Sequence, residues 1–190
     1  MAEEIFLNQG WFPILIGGIL FVVDAFLTYA ASFLYHAGAK DHLAYEGIYD
    51  PPAVHSKPPQ QRLFTPIFLL KVGFLCLMVL AGWIVLVRQL NRPEIFIFML
   101  GGLYLYLLAD GLIEFRRVML FRSAQRGEGI RGQVIFSQRQ VWMQIVLDLY
   151  GFVVLYLLIF LVAGGWFFLG GAVTCFISSR RQRDWVLVKT

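Results

Sequence analysis

The sequence predicts an all-α, polytopic integral membrane helix bundle with four or five transmembrane helices, forming a single membrane domain over 1–190. Three observations predict it. Charged residues make up 15% of the chain and hydrophobic ones 59%, whereas soluble domains carry about 25% charged residues. Between Trp142 and Ser179 the only formal charge is Asp148. As one helix that stretch would reach ~57 Å, against a hydrocarbon core of ~30 Å. It is therefore either two short spans folded back on each other or one helix that leaves the bilayer. Three further apolar stretches precede it, separated by polar segments.

The elements follow in order. The first span covers 11–35, with Pro13 in its first turn, where a missing N–H is harmless. Glu3 and Glu4 precede it where a cleavable signal peptide would carry basic residues. The segment 36–62 contains the pairs Pro51-Pro52 and Pro58-Pro59, which exclude a regular helix and predict a loop. The second span covers 63–87. A tight link, 88–94, joins it antiparallel to a third span, 95–115. The segment 116–140 is basic, with Gly127, Gly129 and Gly132 near its middle, and reads as a flexible loop. The fourth span covers 142–163. A turn at Gly164-Gly165 would start a fifth, 162–179, but from Trp166 to Ser179 only ~21 Å of helix is available. That length spans only with help from Val162 and Ala163, from arginines that snorkel, or from local thinning. A charged tail ends in the strand-like Trp185-Val186-Leu187-Val188.

Basic residues set the expected orientation. Segment 36–62 carries Lys40, Lys57 and Arg62, and segment 116–140 carries Arg116, Arg117, Arg122, Arg126, Arg131 and Arg139. The link between spans two and three carries only Arg88 and Arg92. Loops 36–62 and 116–140 are thus expected to be cytoplasmic and the N-terminus outside. With five spans the tail (Arg180, Arg181, Arg183, Lys189) joins the basic side, giving thirteen basic residues against two. With four spans the ratio falls to nine against six. The six arginines of 116–140 form a basic cytoplasmic surface suited to anionic headgroups. The excess of 16 basic over 12 acidic residues is a topology signal, and nucleic acid is not expected as a partner.

Charges inside spans are costly and mark functional sites by default. Asp24, Lys71, Asp110 and Asp148 lie within ~8 to 17 Å of the cytoplasmic face if each span is helical. With Glu114 they are expected to form an intramembrane charge cluster around Lys71. Asp110, Glu114 and Arg117 share one helical face by i,i+4 and i+3 spacing, as do Gln144 and Asp148. Asp24 and Thr28, with Gly17 and Ala31 seven residues to either side, form a narrow stripe suited to a helix contact. The glycine pairs 17/18, 101/102, 164/165 and 170/171 also permit close approach, within the chain or between copies.

All three histidines, His36, His42 and His55, fall in 36–62, close to Asp41, Glu46 and Asp50. His42, Glu46 and His55 are the candidate metal ligands, with His42 and Glu46 at i,i+4 if that piece is helical, but no metalloenzyme spacing is present. No cofactor is expected: the spans contain no interior histidine, which disfavours haem and His-ligated pigments. Cys76 and Cys175 lie in apolar stretches and read as buried thiols. No phosphate-binding loop, dinucleotide fingerprint or GxSxG motif occurs.

Three function classes fit this pattern. The first is a non-catalytic subunit or assembly partner of a larger membrane complex, or a homo-oligomeric scaffold, with buried charges holding the helices together. The second is a small proton- or cation-coupled transporter or channel subunit using Asp24, Asp110 and Asp148. The third is a membrane enzyme acting on lipid headgroups at the cytoplasmic face. Lipid, other membrane subunits and self-association are the partners these classes imply.

Overall fold

A computed structural model describes residues 6–7, 9–46, 65–127 and 132–188. The chain is an all-α bundle: the described residues are 86% helical and form five helices, of which four are long and apolar enough to cross a membrane. Helix α1 spans Trp11–His36. Helix α2 spans Pro66–Gly82 and continues as a π-helical segment, Trp83–Gln89. There the guanidinium of Arg88 lies 4.8 Å from the Trp83 ring centroid, and the Trp83 indole N–H donates to the Leu7 carbonyl at 3.1 Å. Three residues then reverse the chain, with Asn91 at φ 50°, a left-handed conformation that Asn tolerates well. Pro93 opens helix α3, Pro93–Gln125, where its missing N–H costs nothing.

Helix α3 corrects the expected loop boundary. It runs ten residues past 115, so Arg116, Arg117 and Arg122 stand on helix rather than in a loop. Its 33 residues reach ~50 Å, well beyond a ~30 Å core. Nothing in 116–125 breaks a helix, and the first glycine, Gly127, stops it with φ 68°.

A further feature escaped the sequence reading. Strand β1, Leu43–Glu46, pairs in parallel with β2, Val134–Ser137, in the register Leu43↔Val134 to Glu46↔Ser137. Leu43 to Glu46 are therefore extended, so His42 and Glu46 do not share the helical face that a helix there would give them. Two four-residue strands carry too little alternation to be legible, and their partners lie some ninety residues apart.

Helix α4, Gln138–Ala163, starts with a capping box in which Ser137 Oγ accepts from the Gln140 N–H and Gln140 Oε1 accepts from the Ser137 N–H. Gly164 and Gly165, at φ 66° and 99°, turn the chain into helix α5, Trp166–Val188. This helix does not stop at Ser179. It carries Arg180, Arg181 and Arg183 on its later turns, and Trp185 to Val188, expected as strand-like, are helical. The 23 residues give ~34 Å, but the turns past Ser179 are charged, and α5 is not among the four helices long and apolar enough to cross a membrane, so the shortfall in apolar length attached to 162–179 stands.

Helix α3 is the centre of the bundle. It packs on α1 along one side and α5 along the other; α2 covers α1, and α4 covers α5. Helices α1 and α3 run parallel: Gly17 lies beside Tyr104, Leu27 beside Gly111, and Tyr35 against Phe121. Helices α3 and α5 approach through glycine. A Cβ on Gly101 would overlap the Phe167 carbonyl, and one on Gly170 would overlap the Phe98 carbonyl. The pairs 101/102 and 170/171 thus serve packing inside the chain. Tyr104 donates its hydroxyl hydrogen to the Pro13 carbonyl, and Tyr156 of α4 donates to the Leu105 carbonyl at 3.0 Å. Ala31, Ala39, Leu43, Phe121 and Ala124 form a small core beneath the strand pair.

Candidate functional site

The charged residues of the spans separate into two groups and one outlier. The first group lies between α1 and α3. Asp24 on α1 is within electrostatic reach of Asp110 and Glu114 on α3, and Arg117 acts on both α3 carboxylates. The i,i+4 and i+3 spacing sets Asp110, Glu114 and Arg117 on one face, and Gly17 and Ala31 are buried on the matching side of α1. Glu114 is only 6% exposed. Arg117 Nη1 donates to Glu114 Oε1, while Glu114 Oε2 and Asp24 Oδ1 are buried without a hydrogen-bond partner. The Thr28 hydroxyl donates to the backbone carbonyl of Asp24 at 3.1 Å, so the side chain of Asp24 gains nothing from it. One turn before Asp110, Tyr106 faces Ser178 of α5 and so extends this polar layer to a third helix.

The second group joins α3 to α4. Arg116 Nη1 donates to Asp148 Oδ1 at 2.8 Å, and Arg116 Nη2 lies 2.6 Å from Oδ2. Neighbours in sequence, Arg116 and Arg117 leave the helix about 100° apart and so serve different partner helices.

Lys71 belongs to neither group. Its side chain is exposed on α2, and no acid pairs with it among the described residues. The expected cluster around Lys71 is therefore replaced by one around Arg117, with Asp148 held separately by Arg116. The reason is helix adjacency: α2 touches α1 through Phe68 on Phe21 and Leu75 beside Gly17, and Lys71, though within a turn of both, stays exposed at the edge of that contact.

The basic surface also changes. Arg116, Arg122, Arg126 and Arg139 are exposed, whereas Arg117 is turned inward with a side chain only 15% exposed. Arg131 lies outside the described residues. Of the candidate metal ligands, His42 immediately precedes β1, and its carbonyl accepts from the Val134 N–H at 2.8 Å. Glu46 ends that strand, and His55 lies outside the described residues. Among the described residues no group of three or more His, Cys, Asp or Glu side chains could hold a metal ion. Sequence reasoning missed the tyrosines that bind backbone carbonyls across helices, Tyr104 and Tyr156. Their signal, a phenol in the middle of an apolar span, was present, since a buried hydroxyl needs a partner.

Compared with protein-family models, curated proteins and solved structures, the chain matches none.

Proposed function

We propose that this chain is a non-catalytic membrane subunit, or assembly partner, that receives a transmembrane helix of another protein on α2. The observation carrying this reading is the outward charge of Lys71 on a helix with a single buried residue, Val79. A lysine on a lipid-facing helix is costly unless it snorkels or finds a carboxylate. Apolar grooves flank the same helix, one against α1 (Trp11, Leu15, Gly18 and Cys76) and one against α3 (Met78, Gly82, Met99 and Leu103). Helix α2 is thus half-packed, and a partner helix with a carboxylate opposite Lys71 completes it. A symmetric pair of copies meeting through α2 would bring Lys71 toward its own mate, so a different protein suits this face better. In this reading the basic ends of α1, α3 and α5 face the cytoplasm, and the Arg116–Asp148 pair joins α3 to α4 at the surface.

The test is purification from the native membrane in mild detergent, with the intact mass of the particle and the identity of what travels with it. A stable hetero-complex that Lys71→Leu dissociates supports the reading. A bare monomer or homo-oligomer ends it.

A second reading has its own observation. Two carboxyls, Asp110 and Glu114, share the guanidinium of Arg117, Asp24 lies within electrostatic reach of both, and Glu114 Oε2 and Asp24 Oδ1 are buried without hydrogen-bond partners. Such a layer suits a proton carrier. Proton flux in proteoliposomes that Asp24→Asn abolishes would support it; equal flux with and without protein would not.

A further inference from the structure

The start of α4 and the strand β2 enclose a groove of about 750 Å³ that the charge groups above do not use. Its chemistry is two-sided. Arg139 and Gln144 stand at its polar side, and Ile135, Met143 and Leu147 form its apolar wall. Both polar side chains are exposed, and among the described residues Arg139 has no acidic partner. The apolar residues stay open as well, with Met143 55% and Leu147 61% exposed. Arg139 stands in the first turn of a helix long and apolar enough to cross a membrane, where an arginine reaches the headgroups. Met143 and Leu147 then lie ~6 and ~12 Å deeper.

We propose that this groove binds one anionic phospholipid, its phosphate on Arg139 with Gln144 as a hydrogen-bond donor, and an acyl chain along Met143 and Leu147. The exposed stripe continues at helical spacing past Gly151, where an added Cβ would meet open space, to Val154 and Leu158. That gives the chain a continuous apolar track. The acid on the same helix, Asp148, is already paired with Arg116. A zwitterionic lipid offers the same phosphate with an attached cation, so it gains less from a lone guanidinium. The site rests on the chain lying in a membrane and is independent of any partner on α2.

The purified protein, given equal amounts of dioleoyl phosphatidylglycerol and dioleoyl phosphatidylcholine, is weighed intact with its bound lipid. One phosphatidylglycerol should be retained in preference. Arg139→Gln should cut that retention about fivefold, while Arg126→Gln, which removes the same charge from an exposed position outside the groove, should leave it unchanged. Met143→Gln keeps the charge and wets the wall, and it should also lower retention. Excess glycerol 1-phosphate, the headgroup chemistry without chains, should fail to displace the lipid. Equal losses in the two arginine variants, retention unaffected by Arg139→Gln or Met143→Gln, or displacement by glycerol 1-phosphate would each overturn the site.

Discussion

Arg117 lies one turn from Glu114 and donates a hydrogen bond to its Oε1 inside the bundle. Arg116, the next residue back, instead reaches outward to Asp148 on α4. The two arginines therefore differ in what their loss exposes. Arg117→Gln leaves Glu114, 6% exposed, without its counter-ion. Breaking a buried pair this way costs about 3–5 kcal/mol. Arg116→Gln removes a bond whose arginine side chain is 53% exposed, and such pairs contribute about 0–1 kcal/mol. Unfolding in detergent followed by circular dichroism should show the larger loss for Arg117→Gln, with most of it recovered in Glu114→Gln/Arg117→Gln. Equal losses for the two single variants would contradict the assignment.

The α3–α5 contact gives a second outcome. Gly101→Ala and Gly170→Ala each set a Cβ onto a backbone carbonyl of the facing helix, and a backbone cannot rotate aside as a side chain can. Each should cost about 1–3 kcal/mol or more, the range for overpacking. Gly73→Ala is the control, because a Cβ there meets nothing within 4 Å. It should raise stability slightly through helix propensity. A Gly101→Ala protein as stable as the parent would mean that the two helices lie farther apart than described.

Sequence reading goes furthest where length and apolarity decide the element. The helical bundle, the reversal near Asn91 and the turn at Gly164-Gly165 all follow from glycine, proline and hydropathy. It fails where the decisive fact is adjacency. Depth along each helix put Lys71 level with the acids, but only the bundle decides that α2 turns it outward and that Arg117 serves instead. The strand pair β1–β2 fails for the same reason, since each strand is too short to announce itself without its partner. The end of α3 is not legible in the sequence because a cluster of arginines suggests a loop, although arginine is a good helix former.

The tyrosine hydroxyls test the inter-helix bonds that the apolar pattern concealed. Tyr104→Phe removes the donor to the Pro13 carbonyl, and Tyr156→Phe the donor to the Leu105 carbonyl. Both rings stay in place, so packing is preserved. Each change should cost about 0.5–1.5 kcal/mol, the net worth of a single hydrogen bond. Because the two bonds join different helix pairs, the double variant should lose the sum within about 0.5 kcal/mol. Thermal unfolding of the four proteins measures this directly, and no change in either single variant would show that the bonds carry no stability.

Asp24→Asn separates the structural from the transport role of the buried carboxyls. Asp24 Oδ1 has no hydrogen-bond partner, and its charged neighbours include Asp110 and Glu114. Asparagine is nearly isosteric, removes a like charge from beside two others and adds an amide donor. Stability should therefore hold or rise, in contrast to Arg117→Gln. A subunit whose helices are held by its other ion pairs would keep its assembly as well. If Asp24→Asn instead keeps the fold and assembly but abolishes pH-driven flux in proteoliposomes, the acid layer is a proton path. If it unfolds the protein, Asp24 has a donor in the membrane that this arrangement of helices does not supply.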